Sequence, residues 1–338
     1  MEIKYQKYTK DYKEQVIDLM QFLWHFDRSL WKPYFEWKFE NNPYTEEPLA
    51  FIALDGDKVV AFRGYMVLPF QIENRSYLCA VLADTVTHGD YQRKGLFSGV
   101  TKYSINEILK DDRYLISLNS SSGGKTLNGY VKLGWQPFCE REHLFRFTWR
   151  GIMNKLVKRI VSDLYDEATI GQSKFILTDE CRAKEMTAMP YYYNELTHRR
   201  EEKLYAWRFQ NPKEKYLFAY SYGENGLLVS YIVLYEIAHN KWDLIDFHTT
   251  DSKDLKNLLD WVCQRIQPLY VLLWTVSKTN LIYQSYRQFG FLPLNKLLRQ
   301  LKKFSKPPFL IREFNQAEHS LMNNPLMWNL YKFVADEI

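Results

Sequence analysis

Apolar residues recur along this chain in two rhythms, and the switches between them predict the elements. A short alternating run near residues 2–8 reads as a strand. Val16, Ile17, Met20, Leu23 and Trp24 then share one face of a helix over 11–26, which Asp11 opens as cap with Glu14 three residues on. Strand-like runs follow near 49–54, 58–68 and 77–87. Asp55-Gly56 between the first two suits a hairpin turn, because such residues accept a positive φ at little cost. The rhythm becomes helical again over about 95–110, where Leu96, Val100 and Tyr103 lie together. A strand at 114–119, a short helix around 125–133 and a last strand near 137–149 complete the unit. RGIMNKLVKRIVSDLYDEA, 150–168, is amphipathic with a basic face and reads as a helix joining two domains rather than one lying on a membrane.

The unit then recurs. FEWKFENNPY (35–44) answers to YAWRFQNPKEKY (205–216), and YVKLGWQP (130–137) answers to YRQFGFLP (286–293), in the same order. The expected architecture is a mixed α/β chain of two related domains, 1–149 and 170–338, with the linking helix in 150–169. The copies differ most at one place. The first carries HGDYQRKGLFSG (88–99) between a strand and a helix. The second reads DFHTTDSKDLKNLLDWV (246–262), without glycine and with Asp251 and Asp254 near the place of Arg93 and Lys94.

Composition narrows the classes. With 338 residues, 46% hydrophobic and 25% charged, the chain reads as a globular protein with room for two domains. The net charge of +5 is spread out, which suits a phosphorylated ligand and points away from nucleic acid. The 4 cysteines form no CxxC pair, so neither a disulfide framework nor a zinc site is expected, and no other metal is invoked. No stretch approaches a membrane span and the first residues are too polar for a signal peptide. A soluble cytoplasmic protein is the expectation.

The basic loop is the strongest chemical signal. The first amides of a helix are unpaired and carry partial positive charge, so a tight turn before them makes an anion site. Gly95 permits the turn, and Arg93 and Lys94 add charge. A pyrophosphate fits such a site, as does the plainer reading of an exposed helix cap.

VTHGDYQRKGLFSGVTKYSINEI (86–108), followed by NSSSGGKTLNGYVKLGW (119–135), resembles the GCN5-related N-acetyltransferase (GNAT) family. The family's acetyl-CoA loop, (Gln/Arg)-x-x-Gly-x-(Gly/Ala), is matched by Gln92-Arg93-Lys94-Gly95-Leu96-Phe97, with Phe97 departing from the usual small residue. Tyr130 precedes Gly134-Trp135 as the family's later motif requires. The resemblance covers nearly all of the first copy, and the C-terminal copy resembles the same fold without the loop.

That resemblance implies two bent mixed sheets flanked by helices, with acetyl-CoA as cosubstrate wedged where two central strands splay. Its pyrophosphate would lie on amides from Gln92 to Ser98, and its pantetheine along the strand at Thr85, Val86 and Thr87, near Asn119. The reaction implied is direct attack of a primary amine, from a small molecule or peptide, on the thioester. Tyr130 is the implied acid, although Tyr286 holds the same frame in the loop-less copy and a packing role stays open. Asp84, Glu36 and His88 are candidates for the base. Two other readings stand beside this one: a non-catalytic CoA-binding or scaffold protein, and a transferase using aminoacyl-tRNA. The latter calls for a concentrated basic groove and no CoA loop, the reverse of this sequence.

Overall fold

In the computed structural model the alternating runs of the first half form one mixed sheet. The structure describes residues 2–120, 124–139, 141–157, 165–276, 280–294, 309–315 and 324–335. The first half contains β1 (Ile3–Lys7), α1 (Lys13–Leu19), α2 (Trp31–Phe35), β2 (Ala50–Asp55), β3 (Lys58–Ile72), β4 (Arg75–Thr87), α3 (Leu96–Ile108), β5 (Tyr114–Asn119), α4 (Gly124–Lys132), β6 (Gln136–Cys139), β7 (Glu142–Phe147) and α5 (Trp149–Val157). The second contains β8 (Asp166–Ile170), β9 (Ser173–Thr178), α6 (Ala183–Ala188), β10 (Thr197–His198), α7 (Glu202–Arg208), β11 (Tyr216–Tyr222), β12 (Leu228–Ala238) and β13 (Lys241–Thr249). It continues with α8 (Ser252–Ile266), β14 (Tyr270–Thr275), α9 (Leu281–Gln284), β15 (Leu292–Pro293) and β16 (Phe309–Glu313).

The strand order is β1-β2-β3-β4-β5-β16-β6 in one sheet, with β10 beside β3, and β8-β9-β11-β12-β13-β14-β7-β15 in the other. Neighbours run antiparallel except β4 with β5 and β13 with β14, which are parallel and joined through α3 and α8. From β9 onward the second sheet repeats the first position by position, with β8 as an additional edge strand. β3 is buried along nearly its whole length because helices cover both faces of its sheet.

The sheets do not divide where the sequence suggested. β7, expected as the last strand of the first copy, pairs with β14 in the second sheet. β16, from the second copy, pairs with β5 and β6 in the first. Each sheet has a slot one strand wide beside its central parallel pair, and the strand filling it comes from the other copy. Backbone hydrogen bonds are satisfied equally well by either donor, so local pattern does not decide the partner. The duplicated Trp landmarks meet at the junction: the rings of Trp37 and Trp207 stack 5.5 Å apart, and each indole N–H donates to the other's carbonyl at 2.8 Å.

Two other expectations change. The helix expected over 11–26 breaks into a 3-10 turn at Lys10–Tyr12, α1, and a second 3-10 turn ending at Phe22. Asp11 accepts from the Thr9 hydroxyl at 3.4 Å and caps no backbone amide. Of the expected linking helix, α5 is present, residues 158–164 lie outside the described residues, and Asp166–Ile170 form β8 against β9.

Candidate functional site

β4 and β5 separate early. They pair only from Leu78 with Tyr114 to Val81 with Leu118, while β4 runs on to Thr87 still paired with β3. Among the described residues, 82–87 therefore have no strand partner on the β5 side. The His88 amide donates to the Val60 carbonyl on β3 at 2.9 Å. Alternation along the strand then turns Val86 toward β3 and aims the backbone groups of Thr85 and Thr87 at the open edge. Opposite Arg63 and Tyr65 the β4 register gains one residue, a bulge at Ala83–Asp84. The bulge turns Asp84 toward the α1–α2 face of the sheet, while Thr85 and Arg63 face α3.

The basic loop leads from this edge to α3. Arg93 (φ 62°) and Gly95 (φ 81°) both stand in the left-handed region, and an ideal Cβ at Gly95 meets nothing within 4 Å, so glycine serves the backbone angle there. The first bond of the helix joins the Gly99 N–H to the Gly95 carbonyl at 2.9 Å, which leaves the Leu96, Phe97 and Ser98 amides ahead of it. Gln92, Arg93 and Lys94 are exposed, and the Lys94 ammonium lies 5.0 Å from the Tyr91 ring centre. The amides and both exposed cations thus gather at one helix mouth.

On the α3 face, Tyr130 from α4 reaches over β4, and its hydroxyl accepts a 2.9 Å hydrogen bond from Arg63. The Phe97 ring packs edge-on against Tyr130 at 5.3 Å and also abuts Gly129. Asn119, 2% exposed, ends β5 opposite Leu310. Four groups around this face are buried without a hydrogen-bond partner among the described residues: the Thr85 and Ser117 hydroxyls, the Trp135 indole N–H, and Nε and Nη1 of Arg63. Buried polar atoms are costly when unpaired.

On the opposite face, Asp84 pairs with the buried Lys38 at 3.0 Å. Lys38 rides on Glu36–Glu40, where α2 widens into a π-helical turn closed by the Asn41 N–H on the Glu36 carbonyl at 2.8 Å. Both line a cavity of about 440 Å³ between the halves, with Trp24 and Tyr34 from the first and Lys213 and Tyr235 from the second. Glu36 is not brought here: it pairs with Lys13 at 2.9 Å and lines a separate cavity beside Trp207. His88 is part of the loop's own structure, its ring nitrogen accepting from the Asp90 amide at 3.3 Å.

The second copy closes the equivalent positions. Asp251 caps α8, its carboxylate accepting from the Lys253 and Asp254 amides at 2.8 and 3.4 Å. β13 leaves β14 after Asp243, and chain from the far end fills the gap. There the Val276 N–H donates to the Leu330 carbonyl at 3.0 Å, and the Tyr331 ring stacks on Phe247 at 5.4 Å. Asp246, next to a bulge at Ile245, is the counterpart of Asp84. It is fully buried against Arg200 at 3.1 Å and accepts from the Tyr205 and Tyr231 hydroxyls at 2.8 Å each. Burial alone would raise its pKa, but Arg200 and the phenols outweigh this and hold it below the usual carboxylate range.

Arg63 and Lys38 escaped the sequence reading. Arg63 is the only charge in the long apolar run between Lys58 and Glu73, a signal that could have found it. Lys38 sits in the repeated FEWKFE landmark opposite Arg208, which is also buried.

Residues 4–138 match the family model described as an acetyltransferase (GNAT) domain. This stretch belongs to the GNAT acetyltransferases. The GNAT match stops inside β6, just before the chain crosses to the other sheet. No curated protein matches the sequence. Solved structures share the fold across both halves. A probable N-acyltransferase from Enterococcus faecalis, described as a conserved protein of unknown function, is 11% identical with a TM-score of 0.66, covering 93% of this chain and 73% of its own. A GCN5-related N-acetyltransferase from Anabaena variabilis is 13% identical at 0.59, with coverage of 93% and 73%. The N-myristoyltransferase of Saccharomyces cerevisiae, solved with bound myristoyl-CoA, is 11% identical at 0.53, covering 93% and 79%. Family membership is thus carried by residues 4–138, and the solved structures extend the likeness of fold to both halves. Among the described residues no helix is long and apolar enough to cross a membrane.

Proposed function

We propose that the first copy transfers an acetyl group from acetyl-CoA to a primary amine, and that the second copy walls the acceptor cavity without a site of its own. One observation carries this reading: the released edge of β4 runs directly into a left-handed basic loop and a helix mouth with unpaired amides. A diphosphate suits Arg93, Lys94 and the amides of Leu96–Ser98. The backbone of Thr85 and Thr87 suits amide groups added as a strand would be.

Acetyl-CoA supplies the activated acyl group. The residues on either side of β4 then divide the work. The cavity beside Asp84 holds the amine for attack on the thioester carbonyl, forming the N–C bond as the C–S bond breaks. The ammonium proton leaves toward Asp84 through water, and the Tyr130 hydroxyl gives its proton to the departing sulfur. Glu36 has no part, being committed to Lys13.

The Lys38–Asp84 pair favours a second reading, binding without transfer, because an ammonium 3.0 Å away already engages the carboxylate that would take the proton. Melting curves with and without acetyl-CoA, followed by thiol release with hydroxylamine and a panel of primary amines, decide between them. A raised Tm with amine-dependent thiol release is expected. An unchanged Tm removes both readings, and a raised Tm without thiol release leaves the second.

A further inference from the structure

Arg63 is a full cation at the centre of the first sheet, 0% exposed, with no carboxylate paired to it among the described residues. Burying such a group is expensive unless its surroundings replace water. Three aromatic rings do so here. The guanidinium carbon lies 5.3 Å from the Tyr130 ring centre, 5.5 Å from Phe97 and 5.8 Å from Tyr65. Its Nη2 donates to the Tyr130 hydroxyl at 2.9 Å and to the Thr101 hydroxyl at 3.2 Å. Thr101 in turn donates to the Phe97 carbonyl at 2.7 Å, which fixes its lone pair toward Arg63.

We propose that Arg63, held in the cage of Tyr65, Phe97 and Tyr130, is a positioning residue that sets the direction in which Tyr130 gives up its proton. The reasoning is geometric. A phenolic oxygen that accepts from Arg63 must turn its own hydrogen elsewhere. Among the described residues that hydrogen has no acceptor, so it is available to a group entering beside β4. Phe97, which departs from the family's small residue, supplies one wall of the cage: a small side chain there would open the guanidinium to water. The assignment rests on the proposed role of Tyr130 as acid.

The test measures hydroxamate formation from acetyl-CoA and hydroxylamine, with Tm and the acetyl-CoA thermal shift as checks on folding and binding. Tyr130→Phe is expected to lower kcat about a hundred-fold and Arg63→Met about thirty-fold, with KM for acetyl-CoA within about two-fold. The double variant should be no slower than Tyr130→Phe alone, because Arg63 acts only through that hydroxyl. Arg63→Lys keeps a charge and a donor and should recover to within about five-fold of the parent. If Arg63→Met does not fold, the Lys variant decides, since its effect should vanish in the Tyr130→Phe background. Losses that multiply in the double variant, or a change in KM instead of kcat, overturn the assignment. Normal turnover in both Arg63 variants with slow Tyr130→Phe overturns it alone. A neutral Tyr130→Phe in an active protein removes the acid role as well, and a parent that forms no hydroxamate removes the whole catalytic reading.

Discussion

The two halves of this chain build the same cleft and treat it in opposite ways. Both diverge a parallel central pair after a few residues, both place an aspartate at a bulge, and both start a helix where the strand ends. In the first half no described strand closes the edge of β4, and the helix mouth stands behind a basic glycine loop. In the second, chain from the far end lies in the gap, Asp251 occupies the first amides of α8, and Arg200 and two tyrosines seal Asp246. The fold therefore does not make a site by itself. What distinguishes the halves is whether the cleft's hydrogen-bonding groups are already used internally.

The comparison breaks most completely at Gly95. A valine there would have to hold φ near 81°, which a β-branched residue does not tolerate, so the turn must rearrange and the helix mouth with it. The expected result is total loss of the acetyl-CoA thermal shift in a protein that still folds. Glutamates at Arg93 and Lys94 should act more gently, weakening binding about ten-fold at low salt and less as salt rises. A Gly95→Val protein with its full thermal shift would place the ligand elsewhere.

The sealed half makes an opposite kind of prediction, about pH. Burial and the neighbouring Arg200 push His198 down to about 3, against an ordinary value of 6.5. The unfolded chain therefore takes up this proton first as pH falls. The stability that neutral His198 contributes is complete above about pH 6.5 and is lost progressively below it, by about 2 kcal/mol at pH 5. His198→Gln should flatten the fall in Tm between pH 7 and 5. An unchanged slope would mean that other groups carry the acid sensitivity.

Much of this contrast was readable in the residues. The paired landmarks disclosed the duplication, the strands of the first copy fell close to their expected places, and Gly95 adopts the positive φ that its loop demanded. Those features are local: a period, a turn, a residue without Cβ. The exchange of β7 and β16 was not readable, because each short strand satisfies its backbone equally well against either sheet. Nor was the cage around Arg63, whose members stand at 63, 65, 97 and 130 and meet only after α3 and α4 pack on the sheet. The isolated arginine in an apolar run was visible; its partners were not. Asp84 and Glu36 were alike as carboxylates, and only the bulge in β4 and the ion pair with Lys13 separate them.

The smallest expected effect sharpens the comparison furthest. Asp251→Ala removes the carboxylate that caps α8 and bares its first amides, as those of α3 are bare. Loss of such a cap costs about 1 kcal/mol, a modest fall in Tm. If an open helix mouth were enough to make a site, the variant would gain a second acetyl-CoA. It should not, because the tail still lies in the gap, its Leu330 carbonyl bonded to Val276 beyond β14 and its Tyr331 ring stacked on Phe247 of β13, and no basic loop precedes the helix. Calorimetric titration should therefore give one acetyl-CoA per chain in both parent and variant. Two equivalents in the variant would show that the cap alone had silenced the second half, and the division between an open copy and a plugged one would have to be redrawn around a single side chain.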